Sequence, residues 1–565
     1  MANCGARITS EDYADFIIDY TSITEEDIDR YDICYNLMFS NFAVAYAPIS
    51  TLPANLIQTF SYRAIPHCYG LLNIDSLRES GILSVRNIPA LNLTGDGVLI
   101  GIVDTGIDYT HEAFINADGT SRIVAIWDQT IESENPPLED YYYGTEYTKE
   151  QINAALSSPD PLSIVPSMDE DGHGTYIAGI AAGNPSLSNN FSGVAPNAEF
   201  VIVKLKPAKR FNQDFFKIPY DSICYQENDI ILGIKYLHSM ARKVMKPISI
   251  CIALGTSQGS HDSRDFLSIY LNSIAVQPGI GISIAAGNEG NTGHHYSGTI
   301  DTITGYNTLE LRVGDNNTGF SMELWGRSPN FFSIDILSPS GEYIPPIPAR
   351  IGENRVINFI FENTIIYVDY ELIEIQSGDQ LILLRFQNPS EGIWRFRVYS
   401  SSDLTRTFNI WLPIRNFLDG DTYFIVPEPD YTLTSPGNAN FPFVVTAYNS
   451  ANRSLYLSAS RGYTRTNVIN PSFAAPGVNM IGPNLNNGYI EKSGTSIAAA
   501  FTSGVLAMLL EWSLKQTNRP VISTIEMYSI LLLGADRDPN IIYPNREWGY
   551  GTLNVYNAFN TLRGL

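Results

Sequence analysis

At 565 residues the chain can bury several cores, and its length predicts about three domains or one large domain with additions. Lys and Arg number 35 against 59 Asp and Glu, a net charge of −24, which argues against nucleic acid and anionic membrane as partners. Cys4, Cys34, Cys68, Cys224 and Cys251 are odd in number and without close pairs, so buried free thiols are expected rather than a disulfide framework or a zinc site.

The N-terminus lacks the apolar stretch of a signal peptide, and no run reads as a membrane span, so synthesis in the cytosol is expected. Residues 1–74 read as a small α+β unit. Thr9 and Asp12 precede apolar positions Tyr13, Phe16, Ile17 and Tyr20 at helical spacing, which predicts a helix. A strand over 42–49, a short helix from Pro53 and an extended tail over 62–71 follow.

An unbroken apolar strand over 98–104 then ends in Asp104-Thr105-Gly106, and similar strands are expected over 200–205, 248–254 and 280–286. Helical stretches after Gly174 and around 230–240 separate them. This alternation predicts an α/β fold in which a parallel sheet carries helices on both faces and functional groups gather at the carboxyl ends of its strands. Asp169-Glu170-Asp171 reads as a solvated loop before Gly172-His173-Gly174-Thr175, which puts His173 at a helix start.

From about 298 to 430 the apolar period becomes two, as in Trp394, Phe396 and Val398. About eight short strands predict an inserted all-β sandwich of jelly-roll type. The α/β pattern resumes with 443–447 and reaches Ser493-Gly494-Thr495-Ser496, a small-residue turn opening a long apolar helix. There the unpaired backbone N–H groups and the helix dipole favour a developing negative oxygen.

An Asp at a strand end, a His at one helix start and a Ser at another supply what nucleophilic acyl transfer needs. The order Asp104, His173, Ser496 differs from that of chymotrypsin-like and α/β-hydrolase enzymes. Val103-Asp104-Thr105-Gly106, Asp171-Gly172-His173-Gly174-Thr175 and Ser493-Gly494-Thr495-Ser496 together resemble the three motifs of the subtilisin-like serine proteases. The resemblance implies Asp104 as orienting acid, His173 as general base and Ser496 as nucleophile. It further implies Asn288, in Ala285-Ala286-Gly287-Asn288, as oxyanion donor and Ala253-Leu254-Gly255 as the substrate-binding edge.

Residues 1–74 resemble the family's prodomain, with self-cleavage implied between about Tyr69 and Asp75. Residues 75–297 and 431–565 then form the two parts of the protease domain around the 298–430 insert. The Pro and His that usually follow the Ser motif are replaced by Ala499-Ala500.

This architecture resembles the Csp germination proteases of clostridial spores. That resemblance implies a spore location, a cleaved prodomain retained without a covalent link, and a cortex-lytic hydrolase precursor (pro-SleC) as protein substrate. The alternative is a catalytically silent pseudoprotease that signals or scaffolds during germination. For the insert, a structural clamp is preferred to a carbohydrate-binding module. No cofactor is called. His294-His295 lack a third ligand nearby, and no metal or calcium loop is assigned.

Overall fold

The computed structural model describes residues 4–21, 24, 28, 30–71, 92–132, 141–402, 404–516 and 521–562. Near the N-terminus, Tyr13–Asp19 is a strand and not the predicted helix. It pairs antiparallel with Phe42–Pro48, which also pairs with Cys34–Phe39. Ala14 through Ile17 are all buried, so the strand is covered on both faces and shows no two-residue alternation. Its remaining apolar spacing imitates a helix. Cys4 and Cys34 form a disulfide, which corrects the expectation of free thiols for these two. They lie 30 residues apart, and only the folding of the sheet brings them together. Cys68, Cys224 and Cys251 are free and buried.

The main sheet runs in the order Ser454–Leu455, Phe443–Asn449, Ile280–Ala285, Ile248–Ile252, Leu99–Asp104, Glu199–Lys204, Ile123–Asp128, Thr145–Thr148. Its middle strands are parallel and almost wholly buried, because helices cover both faces, while the two outermost pairings are antiparallel. His173–Ala182 and Thr495–Leu514 pack in the core on one face, with Glu227–Lys243 and Phe266–Ala275 on the other. Contrary to expectation, Thr495–Leu514 is long and apolar enough to cross a membrane. Its most apolar window is 89% buried inside the protein, so here it serves as a core helix.

Between Ile280–Ala285 and Phe443–Asn449 the chain builds two antiparallel sheets, of six and five strands, enclosing one apolar core. They run from His295–Thr299 to Tyr423–Phe424. Tyr343–Ile347 holds Pro345 and Pro346 as the outermost strand of the five-stranded sheet, where N–H groups need no partner and prolines are tolerated.

Three parts of the chain meet in a further apolar core. Phe16, Tyr62 and Ile65 come from the N-terminal unit, Phe215 and Phe216 from the α/β part, and Trp325, Leu381 and Trp411 from the sandwich. Within it the buried Glu323 accepts from Tyr62 Oη at 2.5 Å, Trp325 Nε1 at 3.0 Å and the Gly259 N–H at 3.0 Å, joining all three. Glu323→Ala would strand these donors away from water, a cost on the order of 3 kcal/mol. A drop of that size in the denaturation free energy is the expected result, and an unchanged midpoint would contradict it.

Candidate active site

Asp104 closes the strand Leu99–Asp104, and Ile248–Ile252 and Ile280–Ala285 follow it across the sheet, so their carboxyl ends lie side by side. The Thr105 N–H donates to Asp104 Oδ1 at 2.8 Å, and His173 Nδ1 lies 2.7 Å from the same oxygen, both side chains being buried. A carboxylate only accepts, so Nδ1 carries the proton and Nε2 is the basic nitrogen. Among the described residues Nε2 is buried without a hydrogen-bond partner.

Local sequence explains this approach. Gly172 has φ +88°, a left-handed conformation suited to glycine, and the helix begins immediately after it at His173. A Cβ at Gly174 would run into the Gly106 carbonyl, so only glycine lets the helix start sit on the Asp104 turn.

Asp169 is not the solvated residue expected of its loop. It is buried, accepting from Thr105 Oγ1 at 2.8 Å, the Gly172 N–H at 2.8 Å, and the Thr175 N–H and Oγ1 at 2.9 and 2.6 Å. It thus ties the start of the His173 helix to the turn after Asp104. Nothing in the acidic run distinguished it from its exposed neighbours Glu170 and Asp171.

Ser496 is the second residue of its helix, and its Oγ donates to the Ala253 carbonyl at 3.2 Å. Asn288 follows Ile280–Ala285 through the turn at Gly287. Its Oδ1 accepts from the Thr495 N–H at 3.2 Å and Thr495 Oγ1 at 3.1 Å, while the Gly287 N–H donates to Thr495 Oγ1 at 3.1 Å. The backbone donor fixes the amide with its oxygen toward Thr495. Thr495 is therefore a site residue missed by the sequence reading, although it stands inside the quoted motif.

Leu254–Gly255 forms one wall of a groove and Tyr225–Gln226 the other. Between them lies the chain's own Cys68–Leu71, with Leu71 opposite Leu254, Gly70 opposite Gly255, Tyr69 opposite Tyr225 and Cys68 opposite Gln226. Gln258 Oε1 accepts the Cys68 N–H at 2.9 Å, and Asn416 Nδ2 donates to the Leu71 carbonyl at 3.1 Å. The expected cleavage segment continues into residues 72–91, outside the described residues.

The sequence profile of the subtilase family, peptidase family S8, matches residues 95–309 and 426–551. The chain belongs to the subtilase family. Its match passes over 310–425, most of the sandwich, so this subtilase carries a β-rich addition to the family's fold. It is 21% identical over 500 residues to the minor extracellular protease Vpr of Bacillus subtilis, covering 83% of this chain and 52% of that protein. To the subtilisin-like protease SBT3.4 of Arabidopsis thaliana it is 24% identical, over 78% of this chain and 60% of that one. The chain thus spans little more than half the length of these curated relatives. The solved structure of the Clostridium perfringens CspB protease aligns with a TM-score of 0.75 and 31% identity, covering 85% of this chain and 96% of that one.

In this subtilase, burial works against a charged His173, but the charge and hydrogen bond of Asp104 outweigh it and hold the imidazole above its ordinary pKa. Folding therefore favours the protonated ring. Its contribution to stability is full below the unfolded pKa of about 6.5 and is lost as pH rises through the higher folded value. The adjacent histidines His294 and His295 turn to different partners. His294 Nδ1 meets Glu289 at 2.7 Å, whereas His295 lies between the Glu428 carbonyl and Asn409 Oδ1 and stacks on Trp411.

Proposed function

We propose that the protein is a self-processing serine endopeptidase whose N-terminal unit is its prodomain. The observation that carries this reading is the chain's own Cys68–Leu71, paired as a strand in the groove and directed toward Ser496. The register runs from Gly70–Gly255 through Leu71–Leu254 toward Ala253, whose carbonyl accepts from Ser496 Oγ. The self-cleaved bond we propose is therefore the one after Leu72, a residue outside the described ones. Backbone pairing of this kind is how extended peptides are bound at sheet edges.

In the reaction His173 Nε2 takes the Ser496 proton as the hydroxyl attacks the carbonyl, and later returns it to the leaving amine. Asp104 holds Nδ1–H and stabilises the ring's charged form. Asn288, its oxygen engaged by Thr495, offers its Nδ2 donors to the negative oxygen. The basic nitrogen must be unprotonated for the first step. With the His173 pKa raised, self-cleavage of the refolded chain is expected to fall about tenfold per pH unit below a limb that lies above 6.5. A rate independent of pH between 5 and 8 would remove His173 from the reaction.

Asn288→Ala tests the oxyanion role. It is expected to slow first-order self-cleavage by about 10²–10³-fold, close to 3 kcal/mol of barrier, with Cys68–Leu71 still bound. Mass spectrometry during refolding reads the rate, and an unchanged rate would take the amide out of the mechanism.

The three-part core and the Glu323 junction support the sandwich as a clamp that keeps the cleaved prodomain in place. Similarity to the CspB protease supports a place among spore germination proteases. The protein substrate would then be the inactive cortex-lytic hydrolase precursor, pro-SleC. Incubating the two proteins and sequencing the new N-terminus of the precursor tests this, and an uncut precursor would contradict it.

A further inference from the structure

Cys68–Leu71 turns its side chains alternately to two surfaces. Tyr69 and Leu71 pack on the α/β core, whereas Cys68 belongs to the core shared with the sandwich. Gly70 faces the same way as Cys68, and there the insert closes over it. A Cβ on Gly70 would lie 2.7 Å from Ile414 Cδ1 and 3.2 and 3.3 Å from Phe417 Cε1 and Cζ. Ile414 and Phe417 are buried in that core, so neither side chain has open space to swing into. The φ of Gly70 is not in the left-handed region, so the demand for glycine is one of room and not of backbone conformation.

Both walling residues lie within 310–425, the stretch that the subtilase match passes over. The turn there, Arg415–Phe417, also touches the bound strand and the segment leading into the Tyr225–Gln226 wall. Asn416 Nδ2 holds the Leu71 carbonyl, and the Asn416 carbonyl accepts from Ser222 Oγ at 2.8 Å.

We propose that the insert sets substrate choice: Ile414 and Phe417 restrict the groove to peptides with glycine as the third residue before the cut bond. This rests on the endopeptidase reading and deepens it. The substrate class is an extended segment with glycine at that place, an aromatic residue before it and an aliphatic one after it, as in Tyr69-Gly70-Leu71.

The test uses the full chain and two readouts. In refolding, Gly70→Ala should slow self-cleavage by about 100-fold, and adding Ile414→Ala, which removes the nearest obstruction, should restore it to within about fivefold. Separately, in a Ser496→Ala background, hydrogen exchange at Cys68–Leu71 should speed up with Gly70→Ala and slow again when Ile414→Ala is added. The second readout needs no catalysis and is taken only on chains whose circular dichroism matches wild type.

Gly70→Ala cleaving at the wild-type rate, or a double variant as slow as the single one, would overturn the inference. The expected exchange pattern beside a wild type that is never cut would sustain the wall and defeat the endopeptidase reading. Normal cleavage of wild type with exchange indifferent to both substitutions would do the reverse.

Discussion

Asp104→Asn is expected to slow self-cleavage of the refolded chain by about 10⁴-fold while the fold survives. Asp104 Oδ1 accepts both the Thr105 N–H and His173 Nδ1, and two donors on one oxygen suit a carboxylate. An asparagine has one acceptor atom. With its NH₂ in the place of Oδ1 it faces Nδ1 with a donor and selects the tautomer protonated at Nε2, which cannot take a proton from Ser496; with its oxygen there it keeps both bonds but has no charge to stabilise the imidazolium. The substitution also removes the charge that holds the His173 pKa up, so whatever activity remains should have its acidic limb at lower pH. A residual rate with the limb unmoved would mean that Asp104 merely packs against the ring. A loss smaller than about tenfold would place the proton transfer elsewhere.

The groups of the candidate site were legible because they stand in short runs whose glycines the geometry demands. Gly172 supplies the left-handed turn before His173, and Gly174 admits the close approach to the Gly106 carbonyl that puts the ring on Asp104. Such requirements are local and can be read along the chain. Partners supplied from a distance could not be. Tyr225–Gln226 closes the groove across a strand it meets only in the fold, and Ile414 and Phe417 arrive from a sandwich hundreds of residues beyond Gly70.

Tyr13–Asp19 was misread for a related reason. A strand covered on both faces loses its alternation, and the neighbour that covers it is not visible in its own sequence. Cys4 and Cys34 likewise meet only through that sheet. The tail over 62–71 was read as extended throughout, yet Tyr62–Ala64 forms a 3₁₀ turn before the strand Cys68–Leu71. That turn brings the Tyr62 hydroxyl to Glu323 of the sandwich.

Self-cleavage by Ser496 is the step on which the proposed function stands. The most direct measurement is the intact mass of freshly purified wild type beside Ser496→Ala, each expressed as the full chain. The substitution removes the hydroxyl at 3.2 Å from the Ala253 carbonyl and leaves its helix unchanged, so it should reduce the reaction by about 10⁶-fold. Two co-purifying pieces are expected from wild type, divided after Leu72, and one unbroken chain from Ser496→Ala. Cleavage of Ser496→Ala at the same bond and the same rate would contradict self-cleavage by Ser496.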